Sequence, residues 1–281
     1  MELRKDEGGF GYGSVWDSLG VSVEGVLERI QEALDESGVS VTVKHDRNGI
    51  LRFHPTAVVY HHDLGKGRTS YVFLVDEDSK NPRFVGLFPD LQGVSEYPVA
   101  VEHSMEWHSR VEARVVGSIC GMPITWFDPD YALRWPDYIA IDPGDVWNVS
   151  FAALAESISV AKNQTFKVPA EKFAAKFGME GDENGEIEYT TKGAAILLPS
   201  VDGWPDIYQF SGTVRSIVRA SIAGVDGWVA EVCVLRFDED IFFPIYFAAA
   251  ALDGALPEVG DDVTGQFWLQ WRLVSPVDLD R

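Results

Sequence analysis

Short runs of β-branched and aromatic residues, separated by glycine and aspartate, fill most of the chain after residue 38. The run at 39–43 alternates valine with polar residues, and Asn48-Gly49 is a strong signal for a tight hairpin. Clear helical spacing of apolar residues occurs at 22–37, where Ser22 can cap the first turn, and a weaker helical composition occurs at 152–160. The chain is therefore restricted to β-rich architectures with few helices.

These patterns predict an α+β, β-rich fold in which an N-terminal helix-on-antiparallel-sheet module is followed by two small OB-like β-barrels. Five regions are expected along the chain: a flexible Gly/aromatic arm at 1–20, the α+β module at 21–108, a first β-barrel-like region at 109–165, a helix and acidic linker at 166–206, and an OB-like barrel at 207–281.

Two short motifs recur in the second half of the chain and predict an internal duplication. Phe127-Asp128-Pro129-Asp130 returns as Phe237-Asp238-Glu239-Asp240. The eight-residue segments 144–151 and 260–267 share glycine, aspartate and phenylalanine at the same positions. We therefore expect residues 111–160 and 208–274 to fold alike.

The C-terminal region resembles the OB fold in its strand order and glycine placement. A long strand begins near Phe210, a turn lies at 224–227, and the last strand opens at Gly260-Asp261. Its closing segment resembles uncharacterised bacterial proteins, without a named family. The resemblance implies a barrel with a binding face and does not imply a particular ligand.

Acidic residues outnumber basic residues by 44 to 23, which gives a formal net charge of −21. Residues 1–144 carry 23 acids and 13 bases, and residues 145–281 carry 21 acids and 10 bases, so neither half is basic. Non-specific binding to nucleic acids and anionic membranes depends on lysine and arginine. We therefore expect the chain to bind neither nucleic acids nor anionic membranes. We expect its partner to be another protein, of basic character. A role of the acidity in solubility alone is the alternative.

All histidines fall in one window of the sequence: His45, His54, His61, His62, His103 and His108. If a metal such as zinc binds, the best candidates are His61 or His62 with His103 and Glu102, which lie near the ends of predicted strands. The common zinc spacings HExxH and CxxC are absent from the sequence. The alternative is that each histidine separately meets water or a backbone carbonyl. The main expectation is that the chain binds no cofactor.

Two Asp-x-Asp pairs and two cysteines complete the polar candidates. Asp128 with Asp130, and Asp238 with Asp240, could hold Mg²⁺ through paired carboxylates, although acidic turns at strand ends are the simpler explanation. Cys120 and Cys233 lie in apolar surroundings without a CxxC pair. Because the N-terminus also lacks a secretory signal, a reducing, cytoplasmic location is expected.

The aromatic residues Trp126, Tyr131, Trp135, Trp268 and Trp271 are candidates for a binding surface, and packing in the core is the alternative. No nucleophile or phosphate-binding motif is present in the sequence. We therefore expect a non-catalytic acidic binding protein that contacts another protein. A more specific form of this hypothesis is that the chain mimics a nucleic acid. The alternative is a metal-dependent hydrolase or nucleotide-processing enzyme that uses the histidine window 45–108.

Overall fold

The computed structural model describes residues 13–22, 25, 28, 39–43, 56–64, 67–75, 83–91, 95–106, 112–169, 184–200 and 204–277. The strands are β1 Val39–Val43, β2 Thr56–Leu64, β3 Gly67–Val75, β4 Arg83–Leu91, β5 Glu96–Glu106, β6 Ala113–Ile119, β7 Met122–Phe127, β8 Val146–Val160, β9 Thr165–Pro169, β10 Glu186–Thr190, β11 Ile196–Pro199, β12 Ile207–Ile222, β13 Val225–Arg236, β14 Asp240–Ala248 and β15 Asp262–Pro276. The helices whose bounds lie within the described residues are α1 Gly13–Ser18 and α2 Tyr131–Ala140, and a short 3₁₀ turn spans Ala249–Ala251; Gly25 and Glu28 are also helical.

The strands form three sheets. The strands β1 to β4 make an antiparallel sheet in chain order, and β9 pairs with β10. The remaining strands make one mixed nine-stranded sheet in the order β11-β12-β13-β14-β8-β15-β7-β6-β5. No helix in the described ranges is long and apolar enough to cross a membrane.

The nine-stranded sheet closes on itself twice. One ring consists of β12, β13, β14, β8 and β15, and the other consists of β5, β6, β7, β15 and β8. The strands β8 and β15 belong to both rings and run antiparallel to each other over most of their length. Short parallel contacts of β14 with β8 and of β7 with β15 complete the rings.

Two Gly-Asp turns show that the rings are related by an approximate two-fold axis. Gly144 N–H donates to Val101 O, and Val101 N–H donates to the carbonyl of the aspartate after Gly144, at 2.8 and 2.9 Å. Gly260 and Val214 make the same two bonds in the other ring, both at 2.9 Å. The φ angles of the two glycines are +96° and +94°, a conformation that favours glycine. The Gly-Asp part of the predicted duplication is therefore confirmed.

The approximate axis passes between β8 and β15. The matched phenylalanines Phe151 and Phe267 lie two residues before Ala153 and Leu269, and these last two residues pair with each other. Each half of the chain therefore supplies the same strand to the centre of the molecule. Both phenylalanines are fully buried, since the interior of each ring is packed with aromatic and aliphatic side chains.

The prediction of two separate OB-like barrels is wrong, because each ring includes a long strand from the other half of the chain. The Phe-Asp-x-Asp part of the duplication is wrong as well. Phe127-Asp128 follows β7 and leads into α2, whereas Phe237-Asp238 forms the turn between β13 and β14. These two elements therefore occupy different places in the two halves.

The prediction of an N-terminal helix-on-sheet module is also wrong. Among the described elements, α2 contacts β1 and β2, and it comes from a later part of the chain. The helix predicted at 22–37 lies largely outside the described residues; at its start, Ser22 Oγ accepts the N–H of Gly25 at 3.2 Å, as an N-cap does. The segment 152–160 is strand rather than helix, because strands on both sides of β8 supply its hydrogen bonds.

Helix α1 forms the end of the region that was expected to be a flexible arm. Its Val15 and Trp16 are buried, as is Leu19 directly after it, and the helix contacts β8. Residues 13–20 are therefore a docked part of the fold. Residues 1–12 lie outside the described residues.

Candidate functional site

The guanidinium of Arg272, on β15, lies among three carboxylates from distant parts of the chain. It pairs with Asp90, at the end of β4, and its Nε donates to Asp130 at 2.8 Å. Asp128 contributes the third carboxylate and accepts a hydrogen bond from the hydroxyl of Tyr138 on α2. We call these five residues the Arg272 cluster.

The Arg272 cluster is buried. Asp90 is fully buried, Asp128 is 1% exposed, and the side chain of Arg272 is 15% exposed. Taking charged groups out of water costs several kcal/mol per ion unless close partners compensate for it. The cluster meets this requirement with charged and backbone groups, since Arg272 Nη1 also donates to Leu91 O at 3.1 Å.

Within the Arg272 cluster, the carboxyl of Asp128 keeps its proton up to near neutral pH. Burial raises the pKa of Asp128 to about 7, and the charge of Asp130 adds to this effect. Burial and the neighbouring Asp128 raise the pKa of Tyr138 well above its usual value. Burial lowers the pKa of Arg272, but Asp90 and Asp130 outweigh it and raise that pKa above its usual value. Below pH 7 the protonated Asp128 therefore leaves two carboxylates against one guanidinium.

The cluster lies where β4 and α2 meet the nine-stranded sheet. Next to it, Gln270 Nε2 donates to Pro89 O at 2.8 Å, and Leu91 N–H donates to Gln270 Oε1 at 3.2 Å. On α2, Arg134 Nη1 donates to Leu273 O at 3.0 Å. These bonds attach the four-stranded sheet and α2 to β15.

A carboxyl with a pKa near 7 is common among general acids and bases. In the Arg272 cluster, however, each carboxylate contacts protein groups, and the guanidinium occupies the centre of the three. Among the residues that the structure describes, no group of three or more His, Cys, Asp and Glu side chains could hold a metal ion. The geometry of the cluster is therefore that of a structural junction with one titratable proton.

The two Asp-x-Asp pairs proposed for Mg²⁺ have different surroundings. Asp128 and Asp130 share the Arg272 guanidinium. Asp240 forms an exposed ion pair with Arg236 at 3.7 Å, and Asp238 is exposed at the hairpin turn. Neither pair presents two carboxylates to a common open position.

A second buried ion pair joins β6 to the segment before β12. Arg114 Nε donates to Asp206 at 2.7 Å, and the other oxygen of Asp206 accepts the indole N–H of Trp268 at 2.9 Å. The guanidinium of Arg114 also lies over the ring of Trp204, 4.3 Å from its centroid. This arrangement satisfies both buried charges and covers one face of the Trp204 ring.

The residues predicted to bind a metal lie on two different sheets. His61 and His62 are on β2 of the four-stranded sheet, and their side chains are outside the described residues. Glu102 and His103 are on β5 of the nine-stranded sheet and are exposed. The strands β2 and β5 are not hydrogen-bonded neighbours. His45, His54 and His108 lie outside the described residues, and the metal site stays a prediction.

Four of the five aromatic residues predicted to form a binding surface are in the core. Trp126, Tyr131, Trp268 and Trp271 are each at most 1% exposed. Trp126 and Trp271 stack on each other with ring centroids 3.3 Å apart. The structure corrects the binding-surface prediction for these rings, since side chains that are packed together cannot meet a partner. The side chain of Trp135 lies outside the described residues.

Sequence reasoning missed Asp90, Tyr138 and Arg272. Asp90 and Arg272 are separated by 182 positions in the chain, and neither belongs to a recognisable motif. The one available signal was Asp128-Pro129-Asp130, because paired carboxylates in an apolar segment require a cation nearby. The pair was considered as a possible Mg²⁺ site or an acidic turn, whereas in the structure the cation beside it is an arginine.

The chain matches no protein-family model, no curated protein and no solved structure.

Proposed function

We propose that this chain is a non-catalytic acidic binding protein whose partner is a basic protein, and that its exposed carboxylates take the place of nucleic-acid phosphates on that partner. The observation that carries the proposal is the distribution of paired and unpaired charges over the described surface.

Most described arginines are neutralised by carboxylates of the same chain. The ion pairs are Arg114–Asp206, Arg134–Asp137, Arg215–Glu231, Arg236–Asp240, and Arg272 with Asp90 and Asp130. Within the described ranges, Lys162, Lys192 and Arg219 are exposed and form no salt bridge. Such scattered cations do not make the basic groove that nucleic-acid binding requires.

Many exposed carboxylates have no cation beside them. In the part of the chain that the structure describes, these are Glu96, Glu102, Asp142, Glu188, Asp226, Asp238, Glu239, Asp253 and Glu258. The unpaired surface charge is therefore strongly negative, in agreement with the net charge of −21. A basic surface that binds phosphates is complementary to such a surface, and association with it is accelerated by electrostatic steering.

We also propose a cytoplasmic location. Cys120 is exposed and Cys233 is buried, and both are free thiols. Free thiols of this kind are typical of reducing compartments.

A displacement assay tests the proposed function. Fluorescent duplex DNA is bound to protamine, an arginine-rich DNA-binding protein, at about 0.15 M salt. We expect the wild-type chain to release the DNA, and we expect a variant with Glu96, Glu102, Asp226, Asp238 and Glu239 changed to amides to do so much less. A matched variant with Lys162→Gln and Lys192→Gln should release DNA at least as well as the wild type. The proposal fails if the wild type does not release the DNA, if the amide variant is equally effective, or if the chain itself binds the duplex.

A further inference from the structure

The strand β11 is an edge strand with apolar side chains on its exposed face. It pairs with β12 on one side, and among the described strands none pairs with its other side. Ile196 is 39% exposed and Leu198 is 55% exposed, whereas Leu197 between them is buried. An unpaired apolar edge of this kind favours pairing with another strand.

The register of β11 shows which backbone groups face the open edge. Ser200 N–H donates to Ile207 O on β12 at 2.8 Å. Backbone groups alternate in direction along a strand, so Leu198 and Ile196, which lie two and four residues before Ser200, also direct their N–H and C=O groups toward β12. Leu197 and Pro199 direct theirs outward. Leu197 presents both an N–H and a C=O to the open edge, and Pro199 presents only a C=O because it has no N–H.

This edge is complementary to itself. If two copies pair antiparallel about Leu197, each Leu197 N–H meets the Leu197 C=O of the other copy. The C=O of each Pro199 then meets the N–H of Ala195, so the missing N–H of proline falls at the end of the ladder, where proline is tolerated. In the same register Ile196 lies beside Leu198 of the other copy, which covers both exposed apolar side chains.

On the sheet face beside β11, the side chains of β11 and β12 nearest the open edge carry no charge; the carboxylate of Glu156 on β8 lies farther along this face, where it accepts a hydrogen bond from Gln266 Nε2. Two rows of side chains cross β11, β12, β15 and β8 on this face: Leu198, Gln209, Gln266 and Ser157 in one row, and Ile196, Ser211, Thr264 and Ser159 in the other. Two chains that each carry a net charge of −21 repel each other over most of their surfaces. The uncharged side chains next to the edge reduce this repulsion where the two copies meet.

We propose that β11 is the interface of a symmetric homodimer, in which two copies pair edge to edge about Leu197 and extend the nine-stranded sheet across a two-fold axis. A closed two-fold interface uses the same residues of both copies and leaves no free edge for further growth. This inference is independent of the proposed basic partner.

Sedimentation equilibrium tests the dimer. The protein is measured from about 1 to about 100 µM, the range in which weak dimers dissociate. We expect a monomer–dimer equilibrium, and we expect Leu198→Lys to raise the dissociation constant at least about tenfold, because the lysine places a charged group against Ile196 of the other copy at the pairing edge. Val274→Lys is the matched control, since Val274 is also an exposed aliphatic residue, 38% accessible, but lies on β15. A wild type that is monomeric throughout, or a dimer that Leu198→Lys does not weaken, overturns the proposal.

Cysteine cross-linking tests the register without relying on a charged substitution. In a Cys120→Ser background, Ile196→Cys and Leu198→Cys are made as separate proteins. Residues opposite each other in a non-hydrogen-bonded antiparallel pair are close enough for a disulfide. We expect mild oxidation to give covalent dimers when the two proteins are mixed and not with either protein alone. Cross-linking of Ile196→Cys with itself would place the axis at Ile196 and overturn the register, and no cross-linking in the mixture would overturn the interface.

Discussion

Asp128→Asn separates the titration of the Arg272 cluster from its hydrogen bonds. The asparagine has the shape of the aspartate, and its amide oxygen can still accept the N–H of Asp130, which lies 2.7 Å from Asp128 Oδ1. Its amide nitrogen can donate to the hydroxyl oxygen of Tyr138. The substitution therefore removes one exchangeable proton and leaves the contacts of the cluster in place.

The effect on stability follows from the two pKa values of Asp128. In the unfolded chain the carboxyl ionises near 3.8, whereas in the folded chain it keeps its proton up to about pH 7. Between these values the folded state binds more protons than the unfolded state, so the free energy of unfolding of the wild type falls as the pH rises. The slope approaches about 1.4 kcal/mol per pH unit, and the loss between about pH 5 and about pH 8 is roughly 2.5 kcal/mol.

Urea unfolding followed by tryptophan fluorescence measures this loss at several pH values. We expect Asp128→Asn to gain roughly 2.5 kcal/mol relative to the wild type between about pH 5 and about pH 8. Histidines that titrate in this range contribute equally to both proteins and cancel in the difference. If the difference does not change with pH, Asp128 does not hold its proton in the folded chain and the reasoning is refuted.

Asp262→Asn is the matched control for this series. Burial raises the pKa of Asp262, but hydrogen bonds from Gly193, Thr213 and Asn163 outweigh it and lower the pKa below its usual value. Its contribution to stability is therefore complete above the unfolded-state pKa and is lost only as the pH falls through the lower, folded-state pKa. We expect Asp262→Asn to destabilise the chain by the same amount throughout the range in which Asp128 titrates.

Four further substitutions test the ring geometry and the junction, each by urea unfolding. Gly212→Ala should cost about 3 kcal/mol or more, because its Cβ would lie 2.0 Å from the carbonyl oxygen of Cys233, and a cost below about 1 kcal/mol would contradict the close strand approach. Gly144→Ala and Gly260→Ala should each cost about 1–2 kcal/mol at matching positive φ angles, and clearly unequal costs would contradict the two-fold relation. Arg272→Met should cost about 3–5 kcal/mol because it leaves buried carboxylates without their cation, and a neutral result would show that the cluster is not a junction.

Local signals in the sequence predicted many strands well. The alternating run at 39–43 is present as β1, the long strand expected near Phe210 is present as β12, and the last strand expected after Gly260-Asp261 is present as β15. These segments carry the alternation and turn residues that act within a few positions. The Gly-Asp turns were also predictable, because each depends only on neighbouring residues. The glycine adopts a positive φ angle, and the aspartate after it accepts a backbone N–H from three residues earlier.

The closure of the sheet was not predictable from such signals. The segment 152–160 has helical composition because alanine and leucine suit buried positions in either structure. Its strand conformation depends on β14 and β15, which follow it by about 90 residues or more. The same limit applies to the Arg272 cluster, in which pairing depends on how β4, α2 and β15 meet.

The two halves of the molecule differ most where the Arg272 cluster forms. In the first half, α2 connects β7 to the Gly-Asp turn, whereas in the second half the 3₁₀ turn Ala249–Ala251 occupies the corresponding place after β14. The position on β8 that matches Arg272 holds Glu156, an acid in place of the arginine, which accepts a hydrogen bond from Gln266. The common framework of the halves therefore follows from the shared strands β8 and β15. The buried charges of the Arg272 cluster arise on the side where α2 and the four-stranded sheet cover the framework, because there the arginine on β15 meets carboxylates from β4 and from the segment before α2.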